Sequence, residues 1–329
     1  MAAAAAAARP GSERRLAAVL SAVGAGAAEP PRRVAIVTGA GMGLGSGIAR
    51  GLARAGWNVC LTDVVAHELE ATAADAAEEA GSEGAVLAAV ADVRSLEGME
   101  GVVARVRERW GGRLDLVVAN AAILDARSIM EMDAAAWART VEINLSGVFH
   151  TFKAAWPLLL DQPHDTHCIA VASPAGVRGG ADMSAYTASK HGVEGLVKAL
   201  SDEGQPHRIA VNSMGPGIKI KPTTNPENHA VIGRDARGAG LDGSTVARAF
   251  EHGSADFENW ADPIDAAPAF DWLASQPADR FFGLRFDAGP VAALAAAGAE
   301  GEAELERGVR QLSAANSMVR TPDQEARMG

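Results

Sequence analysis

The sequence predicts a doubly wound parallel α/β sheet covered by helices on both faces and built as a single domain. Three observations carry this expectation. From residue 33 onward, short β-branched runs alternate with helical segments. The strand runs are apolar almost throughout, as strands buried on both faces must be. A glycine-rich turn, TGAGMGLG at 38–45, separates the first strand from the first helix.

RVAIVT at 33–38 reads as a strand, 46–55 as a helix closed by Gly56, and NVCLTD at 58–63 as a second strand, which completes a βαβ unit. Further strands are expected at 85–91, 114–119, 167–173, 209–213 and 283–287. Helices are expected between them at 65–80, 95–109, 134–160 and 184–203. Residues 1–32 form a low-complexity, alanine-rich leader, 33–289 the folded domain, and 290–329 a C-terminal extension with a helix expected around 302–312.

Composition narrows the function. With 48% hydrophobic and 22% charged residues in 329, the chain is neither disordered nor a membrane span array. A net charge of −11 argues against a nucleic-acid partner, which would meet a basic face. Cys60 and Cys168 lie far apart, and His150 and His191 form no ligand spacing with them. No metal is therefore expected, and reduced thiols point to a cytoplasmic protein. Arg14, Arg15 and the mild apolar stretch that ends at residue 28 loosely imitate a signal peptide, and export through residues 1–28 is the minor alternative.

Two motifs carry chemistry. The glycines of 38–45 allow a tight turn and close approach of backbone N–H groups to a pyrophosphate. Asp63, at the end of the second strand, is placed to accept hydrogen bonds from an adenine-ribose diol. Its charge would repel the 2′-phosphate of NADP, and no Lys or Arg between Gly39 and Gly45 offsets it, so NAD is expected over NADP. The second motif is YTASK at 186–190, which contains the only tyrosine of the chain. A four-residue separation puts Tyr186 and Lys190 on one helical face, where the ammonium would favour the phenolate.

In these residues the chain resembles the single-domain short-chain dehydrogenase/reductases, whose fold is a Rossmann-type sheet. The resemblance runs through TGAGMGLG, Asp92-Val93, VANAA at 118–122, Asn144, ASPAG at 172–176, YTASK, GPG at 215–217 and FDAG at 286–289. It implies Tyr186 as acid/base and Ser173, 13 residues earlier, as the hydrogen-bond donor to the substrate oxygen. It also implies Lys190 on the nicotinamide ribose and Asn144 anchoring a water that connects the lysine to solvent. Gly39, Gly43, Leu44 and Gly45 would cradle the pyrophosphate, Asp63 the ribose, Asp92 and Val93 the adenine, and Asn120 the middle of the cofactor. Gly217 and Ile218 would flank the nicotinamide.

The departures are Ala122 in place of the family's glycine, and Ile218 where a threonine often binds the carboxamide. The loop 218–282 is also longer than usual. Leu124, Val177, Met183 and Trp260, with Phe250 and Phe257, are the candidate substrate contacts, and they suggest an apolar, cyclic or aromatic secondary alcohol or ketone. The implied activity is NAD-dependent interconversion of secondary alcohol and ketone. The alternatives are an NADH-using ketoreductase of acyl-type substrates and a non-catalytic NAD-binding scaffold or sensor. The resemblance further implies a homodimer or homotetramer joined through helices 134–160 and 184–203.

Overall fold

The computed structural model describes residues 31–216 and 261–298, together with residues 301, 303, 304 and 307. The chain divides into two units, Met1–Arg32 and Arg33–Gly329, and the sheet belongs to the second. Residues 1–30 of the leader, with its signal-like stretch, lie outside the described residues. So do Gly217, Ile218, Phe250, Phe257 and Trp260.

Seven strands form one parallel sheet in the order β3-β2-β1-β4-β5-β6-β7. They are β1 Val34–Thr38, β2 Asn58–Asp63, β3 Val86–Val90, β4 Leu116–Ala119, β5 Thr166–Val171, β6 Ile209–Gly215 and β7 Arg285–Asp287. Among the described residues the α-helices are α1 Gly43–Arg54, α2 Ala66–Ala80, α3 Leu96–Arg109, α4 Ala134–Val141, α5 Gly147–Leu160, α6 Ser184–Gly204, α7 Ala267–Ala274 and α8 Ala288–Ala296. Successive strand residues serve opposite faces. Ala35 and Val37 of β1 pack with Ile48, Leu52 and Phe270, whereas Val34 and Ile36 pack with Met99, Phe152 and Val197. Two cores result, one on each side of the sheet.

The ends of the elements have local causes. Gly81, at φ +61°, ends α2 in the left-handed conformation that glycine adopts without strain. Ser95 caps α3 by accepting from Gly98 N, and Asp133 caps α4 by accepting from Ala136 N. The expected helix at 134–160 is not continuous, because a π-helical turn at Glu142–Ser146 divides it into α4 and α5. That turn carries Asn144.

Two helices escape the sequence pattern. Periodicity gives no element within the 218–282 loop, yet its end holds a 3₁₀ turn, Pro263–Ala266, and then α7. Asp262 and Asp265 close a capping box at its start. Phe270 and Leu273 are buried against the sheet, so this stretch belongs to the core rather than to a lid. The segment docks closely because α1 presents glycine there: a Cβ on Gly47 or Gly51 would overlap Pro263 or Ala267. Arg33 and Trp57 both hydrogen-bond Asp271, which ties α7 to the start of β1. Likewise α8 begins the supposed extension but buries Val291 in the core. Of the helix expected around 302–312, residues 303, 304 and 307 are described and are helical.

His167 on β5 is 2% exposed, and its Nε2 lies 3.1 Å from the Gln276 carbonyl. Burial pushes its pKa down from 6.5 to about 4. The unfolded chain therefore binds more protons than the folded one between those values, and stability is lost as pH falls through that window. Urea unfolding at pH 7 and 4.5 should show a loss of about 2 kcal/mol to this group. His167→Asn should flatten that slope; equal slopes in the two proteins would show that another group is responsible.

Candidate active site

The site lies where the connections after β1 and β4 leave to opposite faces of the sheet, which opens a crevice at the strands' carboxyl ends. Gly39 follows β1 at φ +63°, and a Cβ on it would stand 2.7 Å from Ala121 Cα. A Cβ on Gly45 would overlap the Gly39 carbonyl oxygen and the Asn120 amide. Above Gly43, at φ +56°, the space is open. Helix α1 starts there with no side-chain cap and no acidic residue in its first turn. Its first N–H groups have no intrahelical acceptor, so they and the helix dipole favour an anion in that space. Leu44 packs partly buried against the core beneath the turn.

Side chains hold the turn from three directions. Asp63 accepts from Gly41 N at 2.9 Å and from Val65 N at 3.1 Å. Thr72 on α2 donates to the Gly41 carbonyl at 2.9 Å. Asn120 donates both amide hydrogens, to the Thr38 and Gly39 carbonyls at 2.9 and 3.1 Å. The Thr38 hydroxyl accepts from Asn120 N and Ala121 N. Expected to hold the middle of a cofactor, the Asn120 side chain instead spends its donors tying β4 to the turn after β1.

Asp92, two residues beyond β3, lines a cavity with Ser95, Glu142, Ser146 and His150 and pairs with Arg94 through Nε–Oδ2 at 2.9 Å. Val93 is buried against Gly147 at the start of α5, and its carbonyl meets Nδ1 of His150 at 2.9 Å. Asn144 is fully buried. Its Oδ1 accepts from Ile123 N at 2.7 Å, and its Nδ2 donates to the Ile123 carbonyl and to Ser189 Oγ at 2.8 and 3.2 Å. With both donors spent, the side chain is a latch between the segment after β4 and α6. A water held by Asn144 would have to donate to the second lone pair of Oδ1 or use the backbone.

Ser173, Tyr186 and Lys190 come together at the end of β5 and the start of α6. Ser173 Oγ accepts from Ala175 N at 3.2 Å, which fixes its rotamer at the head of a 3₁₀ turn. The phenol of Tyr186 is pushed up from its ordinary value by burial, and its hydrogen bond with Ser173 pulls it back down. Lys190 is 2% exposed, and burial pushes its pKa down to about 8 while the charge of Glu194 holds it up. Its Nζ donates to the Val171 carbonyl at 2.8 Å and stands 5.8 Å from the centre of the Tyr186 ring. The spacing thus does bring Tyr186 and Lys190 onto one face. The expected lowering of the phenol by the lysine does not enter the balance in the protein as it stands: burial raises the phenol and Ser173 alone opposes it.

Leu124 and Met183 are partly buried, Met183 immediately before α6, and Arg127 and Met183 form an isolated parallel bridge. Val177 is 50% exposed. Glu194 and Arg285 also belong to this corner, although no sequence motif singles them out. Arg285 lies opposite Ser213 in the β6–β7 register, and both reach Glu194 on α6, through Arg285 NH1–Oε1 and Ser213 Oγ–Oε2, each 2.7 Å. An arginine inside a predicted core strand was the available signal.

Comparison with known proteins agrees with this geometry. The family model described as short chain dehydrogenase matches residues 33–230. A short-chain dehydrogenase/reductase of Armillaria gallica is 39% identical over 185 residues, 56% of this chain and 70% of the relative. Among solved structures, carveol dehydrogenase from Mycobacterium avium in complex with NAD is 28% identical with a TM-score of 0.64, covering 78% of this chain and 96% of that one. A short chain dehydrogenase of Shigella flexneri complexed with NADP has the same identity, TM-score and coverage. The chain belongs to the short-chain dehydrogenase family.

The glycine contacts separate two substitutions. Gly45→Ala should cost about 1–3 kcal/mol, because the backbone oxygen it meets cannot move aside. Gly101→Ala, on α3 with open space around it, should gain about 0.5–1 kcal/mol of helix propensity. Urea midpoints of the two variants measured beside the parent check both signs.

Proposed function

We propose that this short-chain dehydrogenase uses NAD to interconvert a secondary alcohol and a ketone, with Tyr186 as the acid/base. One observation carries the proposal: Tyr186, Ser173 and Lys190 are assembled at the same end of the sheet as an uncapped helix N-terminus and an open glycine turn. The residues fit a dinucleotide. Gly39, Gly43, Leu44 and Gly45 would border its pyrophosphate, and Asp63 its adenine ribose, with Asp92 and Val93 along the adenine.

When bound, the nicotinamide accepts or supplies the hydride, and the chain's own residues manage the proton. In the oxidative direction Ser173 Oγ would donate a hydrogen bond to the substrate oxygen and hold it beside Tyr186. The Tyr186 Oη would take the hydroxyl proton as the C–H bond yields its hydride, and would return that proton in reduction. A partly buried phenol held above its ordinary pKa carries little phenolate at neutral pH. The cationic Lys190 therefore has to act on it, and a pKa near 8 keeps that charge substantially present at neutral pH. Leu124, Val177 and Met183 would offer an uncharged surface, which suits an apolar or cyclic alcohol of the kind named for the Mycobacterium avium relative.

NAD is favoured by Asp63. Its carboxylate already receives two backbone N–H groups beside the ribose position, and a 2′-phosphate there would add like charge to like. Relatives in complex with either cofactor leave the choice to this residue. A second copy of the chain would cover the exposed Trp137 and Phe149 of α4 and α5, consistent with a dimer or tetramer.

A panel of secondary alcohols, carveol and cyclohexanol among them, read at the NADH absorbance tests the activity. Tyr186→Phe should lower kcat roughly 10²–10⁴-fold while the NADH Kd, read by fluorescence, stays within about two-fold. A Phe variant that turns over at the parent rate sinks the mechanism. Exchanging NAD for NADP should cost about tenfold or more in kcat/KM, and Asp63→Ser should narrow that ratio.

A further inference from the structure

We propose that Arg285 and Glu194 form a positioning pair that holds Ser173 in register with Tyr186 and Lys190. The inference rests on the proposed roles of Ser173 and Tyr186 and adds residues that touch neither substrate nor cofactor.

The geometry is a closed circuit. Arg285 NH1 donates to the backbone carbonyl of Ser173 at 2.9 Å and to Glu194 Oε1 at 2.7 Å. Glu194 is four residues after Lys190 on α6, and its second oxygen accepts from Ser213 Oγ at 2.7 Å. Arg285 NH2 lies 3.4 Å from Asp287 Oδ1. The side chains of Arg285 and Glu194 are only 14% and 13% exposed, so neither charge can be left to water. The arginine is tightly seated: a Cβ on Gly215 would stand 2.9 Å from its NH2 and 2.7 Å from Asp287 Oδ1.

Each link joins a different piece of the site. Ser173 sits just past the end of β5, where no strand pairing holds its carbonyl. Gly176 N donates to that carbonyl at 2.8 Å from within the 3₁₀ turn, a bond that does not itself tie the serine to the sheet. Arg285 adds the donor that ties it to β7. Glu194 orients Arg285 and, from the same helix as Tyr186 and Lys190, links the serine backbone to the helix that carries its two partners. An ion pair this enclosed contributes little net stability, since desolvation offsets most of the attraction. What it does provide is a fixed direction, because a guanidinium bonded in two directions at once cannot rotate.

The single tyrosine makes the test independent of catalysis. The Ser173 hydrogen bond lowers the phenol's pKa, so loosening Ser173 should raise it. The charges arranged around this corner are Lys190 and Glu194 on α6 and Arg285 and Asp287 on β7. The double variant Arg285→Met/Glu194→Gln removes one charge of each sign and leaves neither half of the pair buried alone. Its tyrosinate absorbance, titrated over the range in which tryptophan fluorescence reports a folded protein, should rise on the order of half a unit above the parent's midpoint. Ser173→Ala should raise it as much, and adding the double substitution to Ser173→Ala should raise it no further.

A folded double variant with the parent's midpoint, or an undiminished shift in the Ser173→Ala background, overturns the proposal. If the double variant does not fold, Arg285→Lys takes its place. A lysine keeps the charge but cannot serve both acceptors in the same plane, so a smaller shift of the same sign is expected and none would refute the pairing. If Tyr186→Phe proves active, the catalytic reading fails whatever the titration shows; if it is inactive and the midpoints coincide, only the positioning pair falls.

Discussion

The arrangement depends first on the contact between the ends of β1 and β4. These strands are neighbours in the sheet, yet the chain leaves β1 toward one face and β4 toward the other. The backbone at that point has no further ladder to join, and its polar groups must find other partners. The Asn120 amide and the Thr38 hydroxyl supply them, with four hydrogen bonds across the gap. Because the gap is closed by side chains and not by more strand, the crevice above it stays open. Gly39 and Gly45 are then required by packing against this latch, and only Gly43 of the three looks onto free space.

Around that crevice the protein repeatedly uses amides and hydroxyls to set backbone, with the Asp63 carboxylate beside them. Asn144 and Thr72 both direct polar atoms to main-chain groups. A buried set of ionisable groups gathers at the end of β5, where Lys190, Glu194 and Arg285 alternate in sign. Burial disfavours the ammonium of Lys190, and Glu194 opposes that by its charge. Glu194 would itself be costly to bury without Arg285. The three side chains are thus interdependent.

Much of this was legible in the sequence because its signals are local. The strand boundaries of β2 and the start of α2 follow from apolar runs and turn residues a few positions apart, and Tyr186 and Lys190 meet because a helix repeats every 3.6 residues. What was not legible is what depends on distant partners. Gly47 and Gly51 read as ordinary residues of a phosphate-binding helix, yet they are the seat for Pro263 and Ala267, more than two hundred residues later. That docking converts the end of a supposed loop into α7. Asn120 and Asn144 are recognisable by position, but their side chains point into the protein's own backbone, a fact that no spacing encodes.

Arg285 illustrates the limit more sharply. In the sequence it interrupts an apolar strand, LRF, and the pattern alone names no partner for it. β7 is the edge of the sheet, but register places Arg285 opposite Ser213, whose side chain lies under α6. The alternation of side chains then obliges the guanidinium to share that buried side. Nothing apolar in the neighbourhood could replace it without stranding Glu194, and nothing could replace Glu194 without freeing Ser213 and the arginine together. A charged residue in a strand that packs beneath a helix is tolerated only with a partner already in place. The pairing, once found, accounts for both residues at once.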